Sequence, residues 1–383
     1  MYLLEHDAKE LLAARGVAVP AGCLIESAAG ARAATLPAGP WIVKGQIAAG
    51  GRGKAGIIRK AASAAEVVSH AREIVGISIN GRHVGSVRIE RLVGDAREAY
   101  LGFLLDPASG GVRVILSASG GMDIEQVPRD RIHTELAPPD APAMIECLHR
   151  LARHLPADIA PAARDAGERL ARIFLEIEAM LVEVNPLFVL EGGRWIAGDA
   201  KVITDDSALP RQHALLKLVQ ARAAAYADVA RKHEHGFDYV VVDPGGEIGL
   251  LTTGAGLSMM LIDELRAAGM KPYNFLDIRT GGLRGETRRL TQVLQWIAEG
   301  RNVKVLLVNI FAGITDLGEF SRLLVTALRS ATQLKVPVVA RLVGTNLSAA
   351  RDTLAAAKIG LHTDLDAAIE EVRGHLKVVT GDS

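Results

Sequence analysis

A glycine-rich run that directly follows an apolar, strand-like stretch constrains this chain more than any other feature. The stretch Pro40-Trp41-Ile42-Val43-Lys44 precedes the run Ala49-Gly50-Gly51-Arg52-Gly53-Lys54-Ala55-Gly56. Glycine lets backbone N–H groups approach phosphate oxygens, while Lys44, Arg52 and Lys54 supply positive charge. We interpret the run as a loop between two β-strands that closes over a nucleoside triphosphate. The alternative is a plain hairpin turn with solvated cations.

Composition excludes several classes of protein. Lys plus Arg and Asp plus Glu are balanced at 44 each, which argues against a dedicated nucleic-acid binder and makes any anion site local. Charges interrupt every apolar stretch before membrane-spanning length, so no membrane association is expected. The first residues show neither a signal peptide nor a transit peptide, so we expect a cytoplasmic protein. A length of 383 residues predicts two or three domains.

The first part of the chain has the pattern of an α+β domain. A short amphipathic helix is predicted over residues 3–15, ending at Gly16. An open mixed sheet is predicted to carry the glycine-rich loop. The predicted strands are 41–45, 56–60, 84–93, 97–105 and 111–117, followed by a pair at 180–190 and 194–200, and helices are predicted at 64–75 and twice within 140–178.

After about residue 236 the pattern changes to regular alternation of strands and helices, which is typical of a doubly wound parallel sheet. The charged segment 231–236 is the predicted linker, so the predicted domains are 1–235 and 236–383. The predicted strands are 238–242, 248–253, 273–278, 303–309 and 336–343, and the predicted helices are 255–268, 285–300, 317–333 and 346–357.

Oxygen-bearing side chains end the predicted strand pair 180–190 and 194–200. Alternation puts Glu183 and Asn185 on one face, and Asp199 ends the second strand. Mg²⁺ prefers a few protein oxygens together with phosphate and water, so Asn185 and Asp199 are candidate ligands. The alternative is a hairpin whose Asn and Asp make local turns. Lys201 is expected either to pair with the metal-binding carboxylate or to remain a solvated rim charge.

Nine ordered motifs give the chain a resemblance to the β subunit of succinate–CoA ligase (succinyl-CoA synthetase) and to relatives such as malate–CoA ligase. The motifs are Trp41-Ile42-Val43-Lys44, Gly50-Gly51-Arg52-Gly53-Lys54-Ala55-Gly56, Glu98-Ala99-Tyr100-Leu101-Gly102, Gly120-Gly121-Met122-Asp123-Ile124-Glu125, Glu183-Val184-Asn185-Pro186-Leu187, Gly254-Ala255-Gly256-Leu257, Asn274-Phe275-Leu276-Asp277, Val308-Asn309-Ile310-Phe311 and Arg341-Leu342-Val343-Gly344-Thr345-Asn346.

The resemblance implies an N-terminal ATP-grasp domain followed by a flavodoxin-like CoA-ligase domain. It implies that a nucleoside triphosphate and Mg²⁺ bind the first domain, and that a partner α subunit holds CoA and a histidine that becomes phosphorylated. The sequence does not distinguish ATP from GTP, and ATP is expected because it is the more frequent nucleotide in the family. Glu183 resembles the carboxylate that orients this phosphohistidine. The implied nucleotide-binding residues are Lys44, Gly51, Arg52, Gly53, Glu90 and Glu98, with either glutamate suited to the sugar hydroxyls, and the implied Mg²⁺ ligands are Asn185 and Asp199.

A small dicarboxylate is expected at the C-terminal ends of the second-domain strands, where open parallel sheets bind ligands. Thr253 follows one such strand, and Gly313, Ile314 and Thr315 follow another, where backbone N–H groups at a helix entrance can hold an anion. The alternative is that glycine serves only close strand–helix packing.

Departures from the family pattern leave the identity of the carboxylic acid substrate undetermined. Thr253 stands where succinate-specific enzymes have asparagine, and Ala312 replaces a usual glycine. Arg279 and Arg284 are added cations, which we hypothesise to help recognise a second polar group of the acid, with simple solvent exposure as the alternative. Succinate, malate, citrate and a sulfonated acid all remain. Two alternatives of another class are a stand-alone ATP-grasp carboxylate–amine ligase and a non-catalytic nucleotide-sensing subunit.

Overall fold

The computed structural model describes residues 1–27, 30, 34–48, 52–79, 82–279 and 285–380, except for the side chains of 312, 314 and 378–380. The chain divides into two compact units, Met1–Ala225 and Tyr226–Ser383. This division precedes the predicted boundary at 235–236. Most of the segment predicted as linker belongs to a helix of the second unit, Ala227–His235, which ends at Gly236 with a left-handed φ of 73°.

The first unit begins with a helix and then alternates between strands and helices. Its helices are α1 Glu5–Ala13, α2 Ala64–Ile74, α3 Ala141–Leu151, α4 Ala160–Glu176 and α5 His213–Ala221. Its strands are β1 Gly22–Ile25, β2 Trp41–Gln46, β3 Ile58–Ala61, β4 Ser78–Ile79, β5 Arg82–His83, β6 Ser86–Arg91, β7 Arg97–Asp106, β8 Gly111–Ser117, β9 His133–Ala137, β10 Ala179–Val189, β11 Trp195–Ala197 and β12 Lys201–Thr204.

Two antiparallel sheets dominate this unit, so the expectation of one open mixed sheet is wrong. The smaller sheet has the order β1-β6-β2-β3, and the larger has the order β11-β10-β7-β8-β9 with β12 also paired to β10. The turn between β7 and β8 shows why pairing is antiparallel, since a parallel pair needs a crossover of a dozen residues or more. Helices α3 and α4 cover one face of the larger sheet. Gly167 permits their close approach, because a Cβ there would lie 2.3 Å from Leu148.

The second unit contains every strand and helix predicted for it, together with elements that were not predicted. Its helices are α6 Ala227–His235, α7 Ala255–Ala267, α8 Arg288–Ala298, α9 Leu317–Ser330, α10 Leu347–Ala356 and α11 Leu365–Thr380. Its strands are β13 Asp238–Val241, β14 Ile248–Thr252, β15 Asn274–Asp277, β16 Val305–Asp316, β17 Val338–Thr345 and β18 Gly360–His362.

A parallel sheet of order β14-β16-β17-β18 forms the centre of the second unit, and β13 pairs with β15 in antiparallel fashion. β15 lies beside β14, and the Asn274 side chain joins them. Its Oδ1 accepts from the Leu250 N–H at 2.9 Å, and its Nδ2 donates to the Leu250 carbonyl at 2.8 Å. The resulting succession β15-β14-β16-β17-β18 has the 2-1-3-4-5 order of flavodoxin-like folds, which confirms the predicted α/β class.

Alternate residues along β14 and β16 belong to two different hydrophobic cores. Leu250 and Leu307 pack with helices α7 and α11, whereas Leu251 and Val308 pack with α8, α9 and α10. Helices therefore cover both faces of the sheet, as its doubly wound pattern predicts. Within the ranges described above, every helix is too short or too polar to cross a lipid bilayer.

Candidate functional site

Lys44 lies on β2 and is only 5% exposed, although lysine is rarely buried without partners. Its Nζ donates to Glu5 Oε1 and to the Gly198 carbonyl, both at 2.8 Å, and lies 2.8 Å from Glu90 Oε1. Burial by itself would lower the pKa of Lys44, but Glu5, Glu90 and Asp199 raise it above its ordinary value. Lys44 therefore remains a charged ammonium, the form that binds phosphate.

Arg52 joins two acidic residues from distant parts of the first unit. Its Nη1 donates to Glu5 Oε2 at 2.5 Å, and its Nη2 donates to both carboxylate oxygens of Asp199, at 2.8 and 2.6 Å. Burial would lower the pKa of Arg52, but the two carboxylates raise it. Since Lys44 shares the Glu5 carboxylate, Arg52, Lys44 and Asp199 form one connected charged cluster.

The rest of the glycine-rich run presents backbone and one exposed charge. Gly53 leaves open space where a side chain would stand, and Gly56 ends the turn with a φ of 69°. Lys54 is exposed and forms an ion pair with Asp123. Gly51, which the family resemblance assigns to nucleotide binding, lies outside the described residues.

Asn185 on β10 and Asp199 in the gap between β11 and β12 lie at corresponding positions. β10 pairs with β12 before Asn185 and with β11 after it, and the shared antiparallel register, continued through the gap, aligns Asn185 with Asp199. Of the predicted strand 194–200, only Trp195–Ala197 forms a strand, and β12 begins at Lys201, after the predicted strand ends. Asn185 Oδ1 accepts from the Gly121 N–H at 2.7 Å, and its Nδ2 donates to the Met122 carbonyl at 2.8 Å.

The side chains of Asn185 and Asp199 fit a magnesium ion by their chemistry. Carboxylate and amide oxygens are hard donors, and Mg²⁺ usually takes one or two protein ligands while phosphates and waters complete its shell. The guanidinium of Arg52 on Asp199 shows that this carboxylate can accept a cation from the direction of the glycine-rich turn. Among the described residues, no group of three or more His, Cys, Asp or Glu side chains has the geometry of a metal site. Asn185 and Asp199 would therefore supply only part of the coordination shell of the ion.

Glu183 lies on β10, two residues before Asn185. Its Oε2 accepts a hydrogen bond from the Tyr100 hydroxyl at 3.1 Å, and it pairs in register with Lys201 of β12. Burial raises the pKa of Glu183, while Lys201 and the Tyr100 hydroxyl oppose that rise. The Lys201 ammonium itself lies 5.6 Å from the centre of the Tyr2 ring.

The two glutamates assigned to nucleotide recognition occupy different surroundings. Glu90 is 1% exposed, and its carboxylate contacts Lys44, Lys9 and Arg88 at 2.8 Å. Glu98 is exposed at the start of β7, beside Gly121, where a Cβ would lie 1.9 Å from its Oε2. Of the two glutamates, Glu98 is exposed, whereas the Glu90 carboxylate is occupied by protein cations.

Helix α1 contributes two functional candidates that the sequence analysis missed. Glu5 and Lys9 are 3% and 0% exposed, and they contact the same cluster as Lys44. The only available signal was helical spacing, because Glu5, Lys9 and the buried Leu12 lie at positions i, i+4 and i+7 of one face. From the sequence alone, these charged residues could equally belong to the solvent-exposed face of the helix.

In the second unit, Thr253 follows β14 and is half-buried. Gly254 precedes α7 with a φ of 84°, and its N–H donates to Asp277 Oδ1 at 2.8 Å. Thr252 pairs in register with Asn309 of β16, so Thr253 and the end of β16 lie at the same edge of the sheet. This edge is the topological switch point, where open sheets bind ligands.

The prediction that Gly313, Ile314 and Thr315 follow a strand is wrong. They lie within β16, Val305–Asp316, in an irregular extension of that strand. Gly313 is exposed, and its carbonyl accepts from Thr345 Oγ1 at 3.0 Å. Only the backbone of Ile314 is described. At the N-terminus of α9, the Asp316 carboxylate accepts a hydrogen bond from the Glu319 N–H at 2.8 Å. This backbone amide is therefore already bonded to a carboxylate of the protein.

The added arginines are only partly described. Arg279 has a 58% exposed side chain and lies 3.6 Å from Asp238 in an ion pair. Arg284 falls outside the described residues. A role for either arginine in recognising the acid stays a prediction.

Comparisons with known proteins match both units to described families. Residues 2–189 match the model of an ATP-grasp domain, and residues 251–373 match the model of a CoA-ligase. The chain is 39% identical over 367 residues to the succinate–CoA ligase (ADP-forming) subunit beta of Chloroflexus aurantiacus, covering 94% of each protein. It is 34% identical to the corresponding subunit of Desulfurococcus amylolyticus, covering 96% of this chain and 97% of that protein.

A solved structure has the same overall fold. The ATP citrate lyase from Methanothrix soehngenii, in complex with citrate and coenzyme A, matches with a TM-score of 0.67 and 18% identity over 94% of this chain and 95% of that chain. At this identity the likeness concerns the fold alone. The predicted order of an ATP-grasp domain followed by a CoA-ligase domain is thereby confirmed.

Proposed function

The chain belongs to the family of succinate–CoA ligase β subunits, which are acid–thiol ligases, and we propose that it is the nucleotide-using subunit of a heteromeric, ADP-forming acid–CoA ligase. The proposed partner is an α-type subunit that carries CoA and the histidine to be phosphorylated. The proposed nucleotide is ATP, and the proposed acid is a small dicarboxylate.

The buried ammonium of Lys44 beside Arg52 and Asp199 is the observation that carries this proposal. Lys44, Arg52 and the bare backbone at Gly53 would bind the phosphates, and Glu98 would accept hydrogen bonds from the sugar hydroxyls. The same proposal includes Gly51 on the family resemblance. Asn185 and Asp199 would hold Mg²⁺, which neutralises phosphate charge when bound. Glu90 belongs to this set as the carboxylate that holds Lys44.

In the first step, an imidazole nitrogen of the partner histidine attacks the γ-phosphorus, a phosphorus–nitrogen bond forms, and ADP leaves with the electrons of the broken phosphorus–oxygen bond. The other ring nitrogen keeps a proton, and the proposed role of Glu183 is to accept a hydrogen bond from this N–H. The Tyr100 hydroxyl, at 3.1 Å from Glu183 Oε2, fixes the orientation of that carboxylate. The contribution of this chain is positioning and charge stabilisation.

In the later steps, a carboxylate oxygen of the acid attacks the phosphorus of the phosphohistidine, the phosphorus–nitrogen bond breaks and the free imidazole leaves, which gives an acyl phosphate. The CoA thiolate then attacks the acyl carbon and displaces inorganic phosphate to give the thioester. We propose that the acid lies at the sheet edge near Thr253 and the segment Gly313, Ile314 and Thr315. The Thr253 hydroxyl offers one O–H donor where an asparagine amide would offer a pair of N–H donors, so its identity bears on acid selectivity.

The test is reconstitution with an α-type partner and a CoA-thioester screen over small dicarboxylates. Lys44→Met is expected to lower kcat/KM about 100-fold or more, because it removes a buried phosphate cation. Lys60→Met, which removes an exposed lysine of the neighbouring strand β3, is the matched control and should retain activity. Absence of any thioester with a phosphorylated partner would favour a nucleotide-sensing subunit. ATP cleavage that needs an amine and no partner would favour a carboxylate–amine ligase.

A further inference from the structure

Two lysines in the first unit share the same partners. Lys9 Nζ lies 2.7 Å from Glu5 Oε1, 2.8 Å from Glu90 Oε2 and 2.8 Å from the Gly198 carbonyl. Lys44 contacts the same two carboxylates and the same carbonyl, each at 2.8 Å. The two differ in access, because Lys9 is 0% exposed whereas Lys44 is 5% exposed.

Three protein oxygens surround the ammonium of Lys44, which has three N–H donors. Its Nζ donates to Glu5 and to the Gly198 carbonyl, and it forms an ion pair with Glu90 at 2.8 Å. To bind a phosphate oxygen, Lys44 must give up at least one of these contacts. A buried carboxylate that loses its counter-ion is strongly destabilised, so another cation must stay on Glu5 and Glu90.

The other cations of the cluster each hold only one of these carboxylates. Arg52 contacts Glu5, and Arg88 contacts Glu90. Lys9 is the member of the described cluster that, like Lys44, contacts both, and it is fully buried. It is thus placed to keep both carboxylates neutralised when Lys44 turns away.

We propose that Lys9 is a positioning residue for nucleotide binding, a resident counter-ion that retains Glu5, Glu90 and the Gly198 carbonyl while Lys44 turns to the triphosphate. This inference rests on the proposed function of the site. Without Lys9, Lys44 would be the lysine that contacts both buried carboxylates. Moving Lys44 to the phosphate would then cost more free energy, so ATP would bind more weakly. The effect of Lys9 should therefore depend on the negative charge of Glu90.

The test measures ATP and AMP affinity of the full chain by calorimetry. Lys9→Met is expected to weaken ATP binding about tenfold or more, with AMP binding little changed. Glu90→Gln alone should tighten ATP binding, because Lys44 then leaves one buried carboxylate fewer when it turns to the phosphate. The double variant Lys9→Met/Glu90→Gln, which removes one charge of each sign, should return to within about threefold of the natural chain.

Lys60→Met is the control for lysine removal, since Lys60 is exposed on β3. If Lys9→Met does not fold, the charge-balanced double variant and Glu90→Gln still test the inference. A purely structural role predicts that both single variants and the double variant weaken ATP binding, and that result would overturn the inference, as would unchanged binding in Lys9→Met. Failure of the natural chain to bind ATP at all would instead contradict the proposed function.

Discussion

Every buried charge around Lys44 has an opposite charge or a hydrogen-bond partner. Arg88, 1% exposed, illustrates this, because its guanidinium donates to Glu90, to Glu10 and to the Pro20 carbonyl. Removing one member of such a network leaves its partner uncompensated, which costs far more than the loss of an exposed ion pair. Pairing therefore explains how charged residues occupy the interior of the first unit.

A pH dependence of stability follows from His6 at the edge of this network. His6 Nδ1 lies 2.6 Å from Arg88 Nη1, and because a guanidinium only donates, Nδ1 must be unprotonated. Burial and the charge of Arg88 both lower the pKa of His6 from 6.5. The unfolded chain then takes up this proton first as the pH falls. The contribution of His6 to stability is complete above about pH 6.5 and is lost as the pH falls toward its folded pKa.

His6→Gln keeps an acceptor for Arg88 but carries no titratable group. Its melting temperature should therefore fall less than that of the natural chain between about pH 7 and pH 5. His213→Gln, which replaces an exposed histidine at the start of α5, should follow the natural chain. Equal slopes for the natural chain and His6→Gln would refute this assignment.

The sequence pointed to individual residues but not to their buried surroundings. Lys44, Arg52, Asn185 and Asp199 were chosen for their chemistry, and the structure joins Lys44, Arg52 and Asp199 in one charged cluster through Glu5. Their buried partners were not predicted. Glu5 lies 39 residues before Lys44, and no local pattern reports a contact over that separation.

At the scale of elements, breaks in regular structure create the functional geometry. The carbonyl of Gly198, which binds both buried lysines, lies in the gap between β11 and β12. Gly198 is required there because a Cβ would lie 2.2 Å from Phe188. The sequence predicted one strand over 194–200, whereas pairing with β10 ends at Ala197 and resumes at Lys201. The sequence alone did not show where this pairing stops.

Asn274 provides a test of sheet assembly in the second unit. Its side chain pairs with both backbone groups of Leu250, which is fully buried. Asn274→Leu would leave a buried N–H and a buried carbonyl without partners, so the unit should lose about 2–4 kcal/mol of stability. Hydrogen exchange at the Leu250 amide should accelerate, whereas Asn302→Leu, at an exposed loop position, should leave it unchanged. Unaltered protection of Leu250 in Asn274→Leu would contradict this account of the sheet.

At the scale of the whole molecule, periodicity and the nine ordered motifs predicted the two fold types in their correct order. Period and alternation report which faces are buried, and burial patterns distinguish an antiparallel unit from a doubly wound one. They do not report pairing across long loops, which is why one mixed sheet was expected where two antiparallel sheets occur. The charged segment 231–236, predicted as the linker, lies mostly in the helix Ala227–His235, because a polar helix and a linker can have the same composition.

Phosphorylation of the partner tests the central claim most directly. The chain and its α-type partner would be incubated with γ-labelled ATP and magnesium, without CoA or acid, and the subunits would then be separated. The account predicts acid-labile, base-stable label on a histidine of the partner, which added ADP removes, and no label with Lys44→Met. Label that remains on this chain, or no label on the partner while ATP is still consumed, would contradict it.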